Sequence, residues 1–579
     1  MKKIFFILFT ITLCFTDDFS DGPYGTSFFE TAGPFAVPDL NITVQGDPNF
    51  DEIVNIQDVI IVVQHILGGN TITGDSFSQG DINNDSIIDV LDILGIINQI
   101  LDPQDPLWSF ESQWNGEDSY ILVQYDPSVN YSTALWSSNT KDALLNNSPM
   151  NVHYFFISNR SQYETDIQYI KDSFDEVLSE FSDEMQIHWK NHLHFVNARV
   201  SEMDNWLNEA LSGHYAISID CFQRIREVGY LGNPASFTGT YMSYLAHEAH
   251  YFNYELAVFN SSNESSFDEI TILDEAHYTG GWAASISQVV ELPSNEILNT
   301  YNKLEVELLR GCPDSDGNYS DAGCDDYDRI AHLYMCEEDG TGCLEIARWI
   351  TPFDRQPHHL TDITPFISSL RPGGMKTFNF QESGWPNSLI TLKLRLHNGL
   401  PNGGTPTDII PIWNGTVQFN PSYDDNRPPQ IFTIPENAQK IEFVAYITGH
   451  GWGSAGCFNC CEFCNSKHIF SVNGGVYEFY RDHPTASSSN YCMQPETIAQ
   501  GVIPNQGGTW GYGRAGWCPG MDVHPYITDI TDHIELGSEN VIDYSACRVS
   551  GNSCVTPPTC NGDGYCPEVA FSSYIIISY

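Results

Sequence analysis

Positive charge is scarce in this chain. Only 24 of its 579 residues are Lys or Arg against 75 Asp or Glu, and the formal charge of -51 at pH 7 repels nucleic-acid phosphates and anionic membrane surfaces. Nucleic acid is therefore excluded as a partner. Long apolar runs are also missing. Ile4 to Phe15, behind Lys2 and Lys3, is too short to cross a bilayer but has the length of a secretory signal core, so residues 1–16 read as a signal peptide. Leu13 is bulkier than lipoprotein-type processing at Cys14 prefers, and no later run predicts a membrane span. Cysteine is nearly absent from the first half. Of 16 cysteines, 14 fall between Cys312 and Cys566, which in an oxidising compartment reads as local disulfides. The expected location is secreted or extracellular, with cell-surface association left open. Cys221 reads as a buried small hydrophobe.

What is present begins with a repeat. "GDPNFDEIVNIQD" and "GDINNDSIIDVLD" match at a spacing of 34 residues and place oxygen ligands at the same loop positions. The first set is Asp47, Asn49, Asp51, the carbonyl of Ile53, Asn55 and Asp58; the second is Asp81, Asn83, Asp85, the carbonyl of Ile87, Asp89 and Asp92. Calcium takes about six to eight oxygens at such spacing, and each loop runs into an apolar helix. Glu52 and Ser86 replace the glycine usual at position six, and Asp rather than Glu ends each loop. Residues 41–102 resemble a type I dockerin, which implies two structural calcium ions, a small all-α segment and a cohesin-like partner.

Residues 105–262 alternate strand-like and helix-like runs, predicting an α/β domain. The run "YAISIDCFQRIREVGYLG" is similar to the late strand pair of thioredoxin-like domains. The redox motif of those domains is missing, with "LWSSN" at 135–139 in its place, so a structural or interaction role is expected. In "HEAHYFNYE" the histidines His247 and His250 are three apart, without the i, i+4 pair of a helical metal signature. This stretch reads as a helix end.

From about Phe267 the chain turns to short strands broken by Gly, Pro and Asn, such as "NKLEVELL", "LITLKLRLHN" and "KIEFVAYITGH". Such texture predicts antiparallel sandwiches of the jelly-roll kind. The Gly/Pro-rich stretch at 398–408 divides them, giving a first domain at 268–400 and a second at 405–579. The whole chain is thus expected to be multidomain and mainly β, with the two sandwiches preceded by the α/β domain and the acidic loop pair.

Three motifs in order, "CDDYDRIAHLY" with "FNFQESGW", then "GWGSAGCFNCCEFC", then "RAGWCPGM", resemble the peptide-N-glycosidase F family over about 268–579. The resemblance implies hydrolysis of the amide joining asparagine to the first N-acetylglucosamine of an N-linked glycan, releasing the intact glycan and leaving aspartate, with no metal required for catalysis. It implies Asp328, Glu462 and Glu382 as catalytic acids, and Arg329, Trp385, Arg514 and Trp452 as substrate-binding residues. Trp385 lies one residue further from Glu382 than the family pattern has it, and Phe463 stands where the family has tryptophan. Bridges are implied for Cys460 with Cys464 and for Cys492 with Cys518; Cys336 and Cys343 read as an inserted pair, Cys312 and Cys324 as further half-cystines, and Cys461 as an extra thiol placed to pair with Cys457.

Two other functions compete. A non-catalytic extracellular glycan-binding or surface-attachment protein would keep the sandwiches, although retention of all three acids argues against it. A copper oxygenase could use His358 and His359, but no H-x-H with a suitably placed methionine supplies a second copper site.

Overall fold

The computed structural model describes residues 18–579 apart from 43–45, 52, 84, 102–106, 204, 235, 237–238, 314–322, 399–404, 453–455 and 561–564. The expected signal peptide, Glu52 and most of the predicted Gly/Pro-rich boundary lie outside the described residues. The chain divides into two compact units, Met1–Arg226 and Glu227–Tyr579.

In the first unit each acidic loop caps its own helix. Asn55 caps Ile56–Ile66 by accepting from Gln57 N–H, and Asp58 reaches back to Asn55 N–H at 2.8 Å. Asp89 and Asp92 repeat the arrangement at Val90–Leu101, with 2.7 Å from Leu91 N–H and 2.7 Å from Asp89 N–H. Val59, Val62 and Ile96 bury the facing sides of the two helices, with Ile72 and Ile88 closing the core.

The rest of this unit is a mixed five-stranded sheet ordered Leu193–Arg199, Val152–Ser158, Ser119–Tyr125, Ala216–Ile219 and Ile225–Glu227. The first three strands are parallel and the fourth is antiparallel to its neighbour. Parallel strands need crossovers, and the central two are buried along their length, as their unbroken apolar runs require. Helix Tyr163–Leu178 supplies one cover, with Ile167, Ile170, Phe174 and Leu178 on its buried face.

One end of the sheet holds a histidine cluster. His153 Nδ1 meets His194 Nε2 at 2.9 Å, His194 Nδ1 meets Asp39 at 2.7 Å, and His153 Nε2 meets Asp118 at 3.3 Å. His192 stacks between His153 and His188, with ring centroids 4.4 and 4.0 Å away. Burial, the largest cause, holds all four below the ordinary histidine value of 6.5, His188 down to about 4. The unfolded chain takes up these protons first as pH falls, so stability is lost between about 6.5 and 4. We expect the melting temperature of this unit to drop across that window, measured by far-ultraviolet circular dichroism. A His188→Gln variant should flatten the slope.

The second unit starts earlier than the sequence suggests. Helix Leu245–Asn263, placed by its sequence in the α/β domain that ends at 262, is part of this unit: Glu248 accepts from Arg355 at 3.0 and 3.3 Å and from Asn505 at 2.9 Å, and Ser262 donates to Glu305 at 2.7 Å. The "HEAHYFNYE" stretch is thus the beginning of a 19-residue helix rather than a helix end, and buried His247 faces Asn505 at 3.3 Å.

The first sandwich stacks two antiparallel sheets. One is ordered His358–Asp362, Tyr301–Gly311, Ser388–Asn398 and Phe267–Tyr278; the other Met521–Asp522, Leu344–Ile350, Ile330–Glu337, Gly374–Gln381 and Ser285–Leu292. Alternation explains the packing. Leu304, Val306 and Leu308 enter the core with Leu392, Leu394 and Leu396, while Glu305 and Glu307 point to the other face and accept from His397 and Arg395 at 2.8 and 2.7 Å. The short strand Met521–Asp522, expected in the second domain, pairs with Trp349 and Ile350 of the first.

The second sandwich pairs a sheet of Pro406–Pro411, Glu568–Ser578, Lys440–His450 and Tyr526–Asp529 with one of Gln430–Thr433, Glu539–Ser550, Ser466–Val472 and Tyr477–Asp482. Val444, Tyr446, Tyr574 and Ile576 join the core of the first sandwich, so strands Lys440–His450 and Glu568–Ser578 are covered on both faces. A buried Arg348–Glu345 pair, 2.7 Å apart, crosses this junction, with Arg348 also donating to Thr448 and to the carbonyl of Ala570. Charges that deep persist only when paired and hydrogen-bonded, and here Arg348 and His332 hold the Glu345 carboxyl well below the ordinary range against its burial.

Candidate active site

The loop before strand Ile330–Glu337 carries Asp328. Asp325 shapes it, accepting from Tyr327 N–H at 3.0 Å and from Arg329 Nε at 2.8 Å. Arg329 is locked by mutual bonds with Thr351, both 2.8 Å, so the residue before it is aimed by the strand edge itself. Asp328 is half-buried.

Glu462 comes from the other sandwich. Its N–H donates to Gly451 O at 3.0 Å, its carbonyl accepts from Ala515 N–H at 2.8 Å, and the Cys460–Cys464 bridge closes the turn around it. The second of these bonds ties it to the residue after Arg514. The Arg514 loop is itself fixed at both ends, by Cys492–Cys518 and by strand Met521–Asp522.

Arg514 is 2% exposed, so it sits beneath the site and not at a rim as a substrate-holding arginine would. Its Nη1 donates to the carbonyls of Thr509 and Tyr512 at 2.8 and 2.5 Å, and its Nη2 to the Thr509 hydroxyl at 3.0 Å. The Phe463 and Trp517 rings pack against the guanidinium at 5.0 and 5.2 Å. Nε is left facing Glu462 Oε1 at 3.5 Å.

Arg514 acts on both acids, and Arg329 adds a second positive charge beside Asp328. Burial raises the Asp328 carboxyl, and the Arg514 charge opposes it. Burial and then the neighbouring Asp328 push Glu462 up to about 8, again against Arg514. Two acids that share one guanidinium do not both ionise freely near neutral pH.

Glu382 lies near enough to the Asp328 loop to feel the charges of Asp325 and Arg329. It is fully buried and takes a bidentate pair from Arg310, with Nε to its two oxygens at 3.1 and 3.0 Å. Burial raises its carboxyl, opposed by Arg310. Its geometry suits support of the Asp325–Arg329 loop, whose charges it feels, better than contact with a substrate.

Aromatic rings lie exposed around these loops. Arg329 lies against Trp282 and Tyr327, 4.3 and 5.3 Å from their ring centres. Trp282 and Trp385 follow two glycines whose backbones are joined, Gly384 N–H donating to Gly281 O at 2.7 Å. Both tryptophans are exposed. Trp452 is exposed as well, and its N–H donates to Tyr565 O at 3.2 Å. Sequence reasoning missed Trp282, Asp325 and Arg310. Arg310 left a signal, a lone cation in the apolar run "LEVELLRG", and Asp325 another, an acid four residues before Arg329.

The three expected bridges form, Cys312 and Cys324 pair with each other, and Cys547–Cys554 and Cys560–Cys566 add two more. Cys461 does not pair with Cys457. Both are buried free thiols, and the Cys461 backbone bridges antiparallel to Trp452. His358 is bonded to Glu307 at 2.8 Å, which takes one nitrogen from any copper set.

Fold and site together define a mainly β, multidomain protein whose two sandwiches bring Asp328, Arg514 and Glu462 to one place. Residues 418–575 match the family described as peptide-N-glycosidase F, C terminal, and residues 45–101 match the dockerin type I domain. Each match covers only part of the chain, one a C-terminal segment and the other a short segment near the start. It is similar to the peptide-N(4)-(N-acetyl-beta-D-glucosaminyl)asparagine amidase F of Elizabethkingia miricola, 24% identical over 337 residues, which are 55% of this chain and 84% of that one. Among solved structures, PNGase F from Flavobacterium meningosepticum is 21% identical, covering 54% of this chain and 96% of its own, with a TM-score of 0.41. PNGF-II is 14% identical, covering 63% and 73%, with a TM-score of 0.40.

Proposed function

We propose that this protein is an extracellular amidase that removes whole N-glycans from glycoproteins. The observation that carries this reading is the pair of acids, Asp328 and Glu462, set about the buried Arg514 and surrounded by exposed tryptophans. In this reading Asp328 orients a water and takes its proton as the water attacks the asparagine side-chain carbonyl. The carbon–nitrogen bond then breaks. Glu462, still protonated near neutral pH, gives its proton to the departing glycosylamine nitrogen, and aspartate is left in the protein. Exposed Trp282, Trp385 and Trp452 offer flat apolar faces on which sugar rings can stack.

The pH profile tests this assignment. A donor must hold its proton, so release of glycans from a denatured glycoprotein should fall as pH rises through about 8. On the acid side, the limb belonging to Asp328 should lie above the ordinary aspartate value of 3.8. Glu462→Gln should lose the alkaline limb. No glycan release at any pH would leave a glycan-binding protein as the reading.

The acidic loops fit calcium, a structural ion here and not part of the chemistry. Asp58 Oδ1 is buried with no hydrogen-bond partner, and Asp47 and Asp51 are close enough to raise its carboxyl after burial has done so. A cation would satisfy all three. Among the described residues no three His, Cys, Asp or Glu side chains already close into a metal-sized cluster, so Asn49, Asn55 and the Ile53 carbonyl would complete the first set, and Asp81, Asn83, Asp85, Asp89, Asp92 and the Ile87 carbonyl would form the second. Chelation should lower the melting temperature of the first unit by several degrees, and calcium should restore it. We read the dockerin segment as docking to a cohesin-like partner, and the α/β sheet as a thioredoxin-like domain without redox chemistry, because helix Ser132–Trp136 carries no cysteine.

A further inference from the structure

The α/β sheet has a cavity that the amidase reading leaves unused. Its volume is about 520 Å³, within the range of small-ligand sites. Asp126 follows strand Ser119–Tyr125, Asn159 follows Val152–Ser158, and Val200 follows Leu193–Arg199, so three parallel strands end at the cavity; Ser212 and Gly213 lead into the antiparallel strand Ala216–Ile219. The chain builds the sheet outward from Ser119–Tyr125 on one side and then returns to its other side. That reversal leaves a crevice beyond the strand ends, where open α/β sheets hold their ligands.

The lining defines the ligand. Among the described residues no Lys or Arg contributes to it, whereas Asp126 and Glu209 do, which disfavours phosphates, nucleotides and carboxylates. Asp126 is held in place, with one oxygen accepting from Ser128 at 2.7 Å and the other from Asn159 at 3.1 Å. Among the described residues, the side chains of Asn130, Asn208, Glu209 and Ser212 make no hydrogen bond to another protein group, and all four are exposed. Amides that both donate and accept match vicinal hydroxyls, a carboxylate accepts from them, and half-buried Val129 supplies apolar surface for the C–H face of a ring. The geometry points to a binding pocket for a neutral oligosaccharide in the α/β domain.

The pocket is separate from the candidate active site, and this proposal stands whether or not the chain is an amidase. The test uses the full chain carrying Asp328→Asn, with a neutral mannose oligosaccharide as probe, followed by saturation-transfer NMR and calorimetry. Binding is expected, and Asn208→Lys with Glu209→Lys should weaken it at least tenfold by filling the pocket with cationic side chains. Asn130→Ala, a milder change, should weaken it severalfold without altering the melting curve. A Trp385→Ala variant should leave this binding unchanged. The proposal is overturned if the oligosaccharide does not bind, if the pocket variants bind it as well as the parent, or if Trp385→Ala alone abolishes binding.

Discussion

Asp328→Asn is expected to slow glycan release by about 10²- to 10⁴-fold, the usual contribution of a positioned acid or base, while leaving the melting temperature unchanged or slightly raised. The two outcomes come from one cause. Burial holds the Asp328 carboxyl above its ordinary range, so its charge is a cost to the fold that a neutral amide of the same shape does not carry. Glu462→Gln should lose activity to a similar extent, and the double variant should be little worse than either single one, because the two acids serve one proton transfer sequence. Glu382→Gln should behave differently. Its partner Arg310 would be left charged and buried, so the expected result is a loss of stability of several kcal/mol, with activity falling only as the Asp325–Arg329 loop loosens. Thermal melts beside kcat and KM for the three variants separate these cases. A melt lowered by Asp328→Asn with activity intact would remove Asp328 from the chemistry.

What the sequence disclosed was local. The acidic loops were legible because their oxygen side chains lie within a dozen residues, and the strands because Leu304, Val306 and Leu308 alternate with charged positions. Motif order brought Asp328 and Glu462 into view, although 134 positions separate them. The environment of each side chain was not legible. Nothing in "RAGWCPGM" says that the Arg514 guanidinium turns inward to the carbonyls of its own loop, since that depends on the aromatic cover of Phe463 and Trp517. That Glu382 is paired with a buried cation was not legible either, because Arg310 lies 72 residues earlier in a strand. Helix Leu245–Asn263 looked like an extension of the α/β alternation because periodicity gives a helix but not the sheet it covers.

Arg514→Met should produce the largest combined effect, a stability loss of about 3–5 kcal/mol together with a shifted pH profile. The guanidinium is buried, so its removal strands the carbonyls of Thr509 and Tyr512 and leaves Asp328 and Glu462 facing one another without their cation. The sign of the pH shift is fixed by that loss. Arg514 lowers both carboxyls, so without it both rise, and the remaining activity profile moves to higher pH on both limbs. Arg514→Lys keeps a charge but not the planar fork that reaches Thr509 and Tyr512 while presenting Nε to Glu462 at 3.5 Å. It should recover most of the alkaline limb near about 8 and only part of the melting temperature. Because charge and fork are thus read by different measurements, an Arg514→Lys profile displaced as far as that of Arg514→Met would mean that geometry, and not the positive charge, sets the protonation of the two acids.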